Sequence, residues 1–197
     1  MEGYSSGGDA YRGGEGPVDT CNGNNMKNPL YTAFIAAGEE AGYGRTDDYN
    51  GYRQEGFGAM HMTVRRGERC STDWAYLAPA RKRPNLTVVT EAEVDKLTLS
   101  GKQVTGVRYQ RRGEMCEASA RREVILSAGS IGSPAILQRS GIGPAQVLAR
   151  AGVPVQHELP GVGENLQDHL EVYFQYRCKA AITVNGHLGW LAKLRIG

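Results

Sequence analysis

The sequence predicts a mixed α/β chain, and three features predict it. Residues 85–119 alternate short strand-like runs with Gly-centred turns. Helix start signals stand at Asn28-Pro29, Ser133-Pro134 and Pro144, with stops at Gly42 and Gly152. Between them, the apolar run Val124-Ile125-Leu126 passes through Ser127-Ala128-Gly129-Ser130 into a helix, the pattern of a βα turn.

Taken in order, residues 1–27 are rich in Gly, Ser and Asn and read as loop or tail. A helix follows from Asn28, where Leu30, Phe34, Ala37 and Ala41 fall at helical spacing and predict the packing face. Residues 43–60 read as a Gly- and Tyr-rich loop. Ser71 or Thr72 caps a second helix running towards Arg83, with Pro79 limiting its regularity. Strands are expected over 85–90, 94–100 and 103–110, then after the Arg112-Gly113-Glu114 turn. Residues 124–126 read as a strand buried on both faces. After an irregular loop over 158–169, residues 170–178 alternate: Leu170, Val172, Phe174, Tyr176 and Cys178 against Glu171, Tyr173, Gln175 and Arg177.

Hydrophobic residues make up 40% of the 197 positions, enough to build a core. The net charge is +2, with short scattered basic pairs that give no nucleic-acid patch. Four widely spaced cysteines show neither disulfide framework nor metal spacing and read as free thiols, so no metal is expected. No run approaches the roughly 18 apolar residues of a membrane span.

Small residues at a strand end followed by a helix N-terminus place free N–H groups near an anionic or nucleotide ligand. Bare, the pattern fits a structural βα turn equally. The run from Gly129 to Gly143 adds Ser133-Pro134, the aliphatics Ile136-Leu137 and a closing Ser140-Gly141-Ile142-Gly143. This resembles the second signature of the glucose–methanol–choline (GMC) oxidoreductases. Gly51–Gly58, Gly67–Thr72, Arg83–Val88 and Leu159–His169 also resemble landmarks of that family in its order, so that the resemblance covers about residues 7–179. Their combination with Leu170-Glu171-Val172-Tyr173 and Arg45-Thr46-Asp47-Asp48 is most similar to its choline-oxidising branch.

The resemblance implies an FAD-binding domain of the glutathione-reductase type interleaved with an antiparallel-sheet substrate domain. On that basis residues 28–60 belong to the interleaved region, 61–152 to the FAD-binding portion and 153–197 to the start of the substrate domain. Val94 matches a position whose backbone meets the adenine of FAD; Ala128 and Gly129 match small residues close to the cofactor. Without the family, Val94 is an ordinary strand valine. Glu171 matches a glutamate that binds the trimethylammonium group of choline, with Tyr173 on the same strand face offering an aromatic surface. The alternative is a solvent-facing polar stripe.

Family members also need a GxGxxG turn for the pyrophosphate and a histidine with a second His or Asn near the C-terminus. Gly161-Val162-Gly163-Glu164-Asn165-Leu166 lacks the third glycine, and no segment matches the histidine pair. The chain therefore reads as an internal fragment that carries no catalytic residue and is inactive alone. His61, His157 and His187 read as structural or exposed, and Asp168-His169 as an architectural loop. The implied parent oxidises choline to betaine aldehyde by hydride transfer to FAD and passes electrons to a membrane quinone. Its compartment stays open between cytoplasm and the periphery of an inner membrane. The competing readings are a GMC enzyme for a neutral alcohol and a non-catalytic remnant. A buried Glu171 disfavours the former, because a neutral alcohol leaves the carboxylate's desolvation uncompensated.

Overall fold

The structure, a computed structural model, describes residues 2–22, 28–180 and 182–183, and mixes helix with small sheets. These residues fall into two compact units, 1–87 with 174–197, and 88–173.

In the first unit β1 (Glu2–Tyr4) runs parallel to β2 (Val18–Asn22), and β2 pairs antiparallel with β3 (His61–Met62). The segment expected to be loop thus contributes two strands. Composition hides them, because Gly-rich turns outnumber the few paired residues. Arg12 lies buried over the Tyr4 ring at 4.5 Å and hydrogen-bonds Asp48, tying the loop before β3 to β1. His61 fits the structural reading: it stacks on Tyr49, and its Nδ1 lies 2.7 Å from Asn50 Nδ2.

Helix α1 (Pro29–Glu40) begins as its sequence requires: Asn28 Oδ1 accepts from the Leu30 N–H at 3.0 Å, and Pro29 occupies the first turn. Gly42, just past its end, takes φ +87. The packing face differs from the predicted one. Phe34 is 67% exposed, whereas Ile35 and Gly38 are buried. The partner is Phe57, wedged between Phe34 and Tyr43 with ring centroids at 5.3 and 5.7 Å. A Cβ on Gly38 would stand 2.5 Å from Phe57 Cγ.

Gly38→Ala is therefore expected to destabilise. Alanine gains about 1 kcal/mol in helix propensity, but forcing an extra carbon into packed space costs about 1–3 kcal/mol and moves the ring. Urea unfolding should show a net loss; a gain equal to the full propensity difference would mean that Phe57 yields freely.

Strands β4 (Val64–Arg65) and β5 (Glu68–Arg69) form a hairpin whose turn residues, Arg66 and Gly67, both have positive φ (52 and 86). Ser71 Oγ then accepts from the Trp74 N–H at 3.3 Å, opening a π-helical turn (Asp73–Leu77) that passes into α2 (Ala78–Ala80). Pro79 sits at this join, where irregularity was expected.

The second unit is built on β6 (Ala92–Ser100), β7 (Gln103–Arg111) and β8 (Glu114–Ser119), an antiparallel meander of order β6-β7-β8. Two irregularities put the right side chains inside. Val94 pairs Tyr109 but Lys96 pairs Arg108, so Asp95 is an extra residue; Thr98 pairs Gly106 but Leu99 pairs Val104, so Thr105 is another. Strict alternation would send Val94 and Leu97 to opposite faces. With the bulge both pack on one cluster, which also takes Leu99, Val104 and Val107.

Helix α3 (Gly129–Arg139) covers that cluster with Ile136. After β9 (Ile142–Gly143), α4 (Ala145–Arg150) brings in Leu148, which is 1% exposed. Strand β10 (His157–Glu158) returns parallel to β9. The strands expected over 85–90, 124–126 and 170–178 do not form. Val124 and Leu126 pack on the core cluster while Ile125 is 77% exposed, and no described segment pairs with any of the three runs. An apolar or alternating run supplies side chains for a strand, but the ladder needs a neighbour.

Candidate functional site

Val94 lies on the outer strand of the meander. Its side chain faces the cluster, while its carbonyl points to the open edge and accepts from Arg139 Nη2 at 3.0 Å. Paired strand residues turn N–H and C=O to the same side, so Val94 offers both groups along this edge.

Ala128 and Gly129 stand at the other end of α3. Ala128 is its N-cap, and Ser133 Oγ accepts from the Ala128 N–H at 3.0 Å. Gly129 has φ +80, and a Cβ there would meet nothing within 4 Å. The left-handed backbone conformation thus favours glycine here. The first-turn N–H groups have no intrahelical partners. Beside them lies an open cavity of about 520 Å³, lined by Ser130, Ile131, Pro134, Gln138, Asn165 and Leu166. Gly129 and Arg139 are the first and last of the 11 residues of this helix, about 15 Å apart at 1.5 Å per residue. The cofactor candidates therefore mark two ends of an elongated surface.

The structure brings Glu171 and Tyr173 together: the Tyr173 hydroxyl donates to Glu171 Oε2. That bond to the carboxylate holds the Tyr173 phenol above its ordinary pKa, because ionising it would remove the donor and set two anions side by side. Neither residue is buried, Tyr173 being 81% exposed, and the segment carrying them is extended without a strand partner. The desolvation argument drawn for a buried Glu171 does not apply to this arrangement. In the preceding loop, the His169 N–H donates to Asp168 Oδ1 at 2.8 Å, an exposed local turn. His187 lies outside the described residues. All four cysteines are free.

Two residues of the motif to which the sequence reading gave no role of their own hold the edge of β6. Arg139 donates from Nε to the Asp95 carbonyl at 2.6 Å as well as to Val94. Buried Ser140 accepts from the Leu97 N–H at 2.8 Å and donates to the Ile136 carbonyl at 2.6 Å. The only local signal was a basic residue in the last turn of a helix, which reads as a partner for the helix dipole.

Residues 3–171 match the GMC oxidoreductase family. The chain belongs to that family. It is 59% identical over all 197 residues to an oxygen-dependent choline dehydrogenase of Photobacterium profundum, and 56% identical to one of Vibrio vulnificus. In both comparisons it spans 35% of the relative's length. Among solved structures, it resembles the pyridoxine 4-oxidase of Mesorbium loti, at 36% identity and a TM-score of 0.74. That match covers 81% of this chain and 31% of the oxidase. An FAD-dependent oxidoreductase of Chaetomium thermophilum gives 29% identity and a TM-score of 0.77, covering 85% of this chain and 32% of the other. Membership fits the motif run Gly129–Gly143, which forms α3 and β9 as one continuous unit. Among the described residues no helix is long and apolar enough to cross a membrane.

Proposed function

We propose that this chain supplies the adenine side and part of the substrate wall of an FAD-dependent alcohol dehydrogenase whose substrate is choline. The observation that carries this reading is the identity of 59% and 56%, along the whole chain, to two relatives both named for choline oxidation.

The residues present fit the cofactor. The Val94 backbone offers its N–H and, beside the bond from Arg139, the second lone pair of its carbonyl along the strand edge, the donor and acceptor that an adenine edge requires. At the far end of α3, the positive φ of Gly129 and the free space beside it leave the first-turn amides open to an anionic or polar group. FAD, when bound, supplies the hydride acceptor for the alcohol carbon. Val94, Ala128 and Gly129 bind and orient; no side chain among them takes a proton.

Glu171 and Tyr173 face the cationic end of the substrate. A quaternary ammonium has no N–H to donate, so a carboxylate charge and an aromatic face are the available recognition elements. Their mutual hydrogen bond keeps carboxylate and ring side by side.

The test is a chimera in which this chain replaces the matching third of the Photobacterium relative. The purified chimera is expected to hold flavin through gel filtration and to oxidise choline. A folded chimera that holds flavin and oxidises neutral alcohols but not choline would overturn the substrate. One that holds no flavin would overturn the cofactor reading. The relatives' names point to oxygen as acceptor, whereas the family resemblance suggests a membrane quinone. Oxygen uptake compared with reduction of a soluble ubiquinone analogue separates the two.

A further inference from the structure

Strand β6 is an edge strand, yet its edge is held at two points from the end of α3. Ser140 bonds the Leu97 N–H and is itself fixed to the Ile136 carbonyl. Arg139 reaches the carbonyls of Val94 and Asp95, which lie 45 and 44 positions earlier. Successive carbonyls of a regular strand point to opposite sides, so one planar guanidinium cannot serve both. Here it does, because Asp95 is the extra residue of the bulge. The Asp95 side chain turns away to Arg108, with Oδ2 accepting from Nε at 2.7 Å. The fork therefore depends on the bulge.

The geometry points to Arg139 as a positioning residue for adenine recognition: its guanidinium fixes the bulged Val94–Asp95 backbone in the shape that reads the nucleotide. This rests on the adenine contact proposed above for Val94. Arg139 is exposed, so water can serve both carbonyls when the guanidinium is removed, and the fold itself loses little. What disappears is the single defined conformation of the bulge, and a preorganised backbone edge is what a ligand depends on. Lysine is no substitute, because a compact ammonium lacks the rigid fork that spans two carbonyls. Ser140, buried and bonded to Leu97, keeps the rest of the edge docked in either case.

Two measurements test this. In the 197-residue chain, amide exchange over residues 94–97 should quicken in Arg139→Met and in Arg139→Lys, while the melting temperature stays unchanged. In the apo chimera, flavin fluorescence titrations compare FAD with FMN, which carries the same ring and no adenine. Arg139→Met should weaken FAD about tenfold or more, the scale of one to two lost hydrogen bonds. FMN binding should not change, and Arg139→Lys should resemble Arg139→Met. Equal losses for FAD and FMN would make Arg139 merely structural and overturn the proposal, as would unchanged FAD binding or full rescue by lysine. If the unsubstituted chimera binds FAD no better than FMN, the adenine contact of Val94 fails first, whatever Arg139 does.

Discussion

Gly141→Ala is expected to lower the stability of the second unit by about 2–5 kcal/mol, combining left-handed backbone strain with overpacking. Gly141 follows α3 with φ +80, and its N–H donates to the Gln138 carbonyl at 2.9 Å. Its own carbonyl takes the N–H groups of Gln156 and His157 at 2.8 and 3.1 Å, seating β10 beside β9. A Cβ would stand 2.5 Å from the Pro154 carbonyl oxygen, backbone that cannot swing aside. Gly152→Ala is the internal control. Its φ of +67 imposes the same conformational strain, but nothing lies within 4 Å. It should cost only about 1–2 kcal/mol. Denaturant unfolding of both variants followed by circular dichroism decides: equal losses would mean that the strand return past Pro154 adapts to the added carbon.

The same contrast explains what was legible in the sequence. Asn28-Pro29, Gly42, Ser100-Gly101, Arg112-Gly113 and Gly152 act through local backbone preferences, and each stands in the structure where its chemistry puts it. Residues 124–126 and 170–178 have the right side chains for strands but depend on a neighbour that no local pattern names. The face of α1 was misread for a related reason. Leu30 and Phe34 are the larger apolar residues, yet Gly38 is the one that lets Phe57 approach. Spacing of apolar residues identifies a stripe; it does not reveal a slot made by a missing side chain.

The site divides in the same way. Ala128 and Gly129 were proposed at the start of a motif whose small residues and Ser-Pro spacing encode backbone geometry, and Val94 through the wider family resemblance. Arg139 lay inside that motif and went unmarked, because its role depends on a bulge 44 positions earlier. The bulge has its own trace in sequence: Val94, Leu97 and Leu99 break strict alternation once. Read as a register change rather than as noise, that break would have placed an irregularity at Asp95 or Lys96.

Glu171→Gln in the chimera is expected to reduce kcat/KM for choline roughly thirty-fold or more, the effect of removing the charged partner of a desolvated cation. Glutamine keeps the size and still accepts a hydrogen bond from Tyr173, so shape and packing are largely retained. For the neutral analogue with a tert-butyl group in place of trimethylammonium, the loss should be far smaller, because that substrate never used the charge. The ratio of the two kcat/KM values, before and after substitution, therefore isolates electrostatics from damage to the site. A second readout is independent of catalysis. The carboxylate holds the Tyr173 phenol above its ordinary pKa, so in Glu171→Gln the 197-residue chain should show that ionisation returning towards the tyrosine norm in an ultraviolet pH titration. If the phenol shifts but the substrate ratio does not, Glu171 and Tyr173 are paired on a surface that choline does not touch. If the ratio falls as expected, the exposed pair seen in this chain becomes the cation-binding wall once the remaining parts of the enzyme close over it.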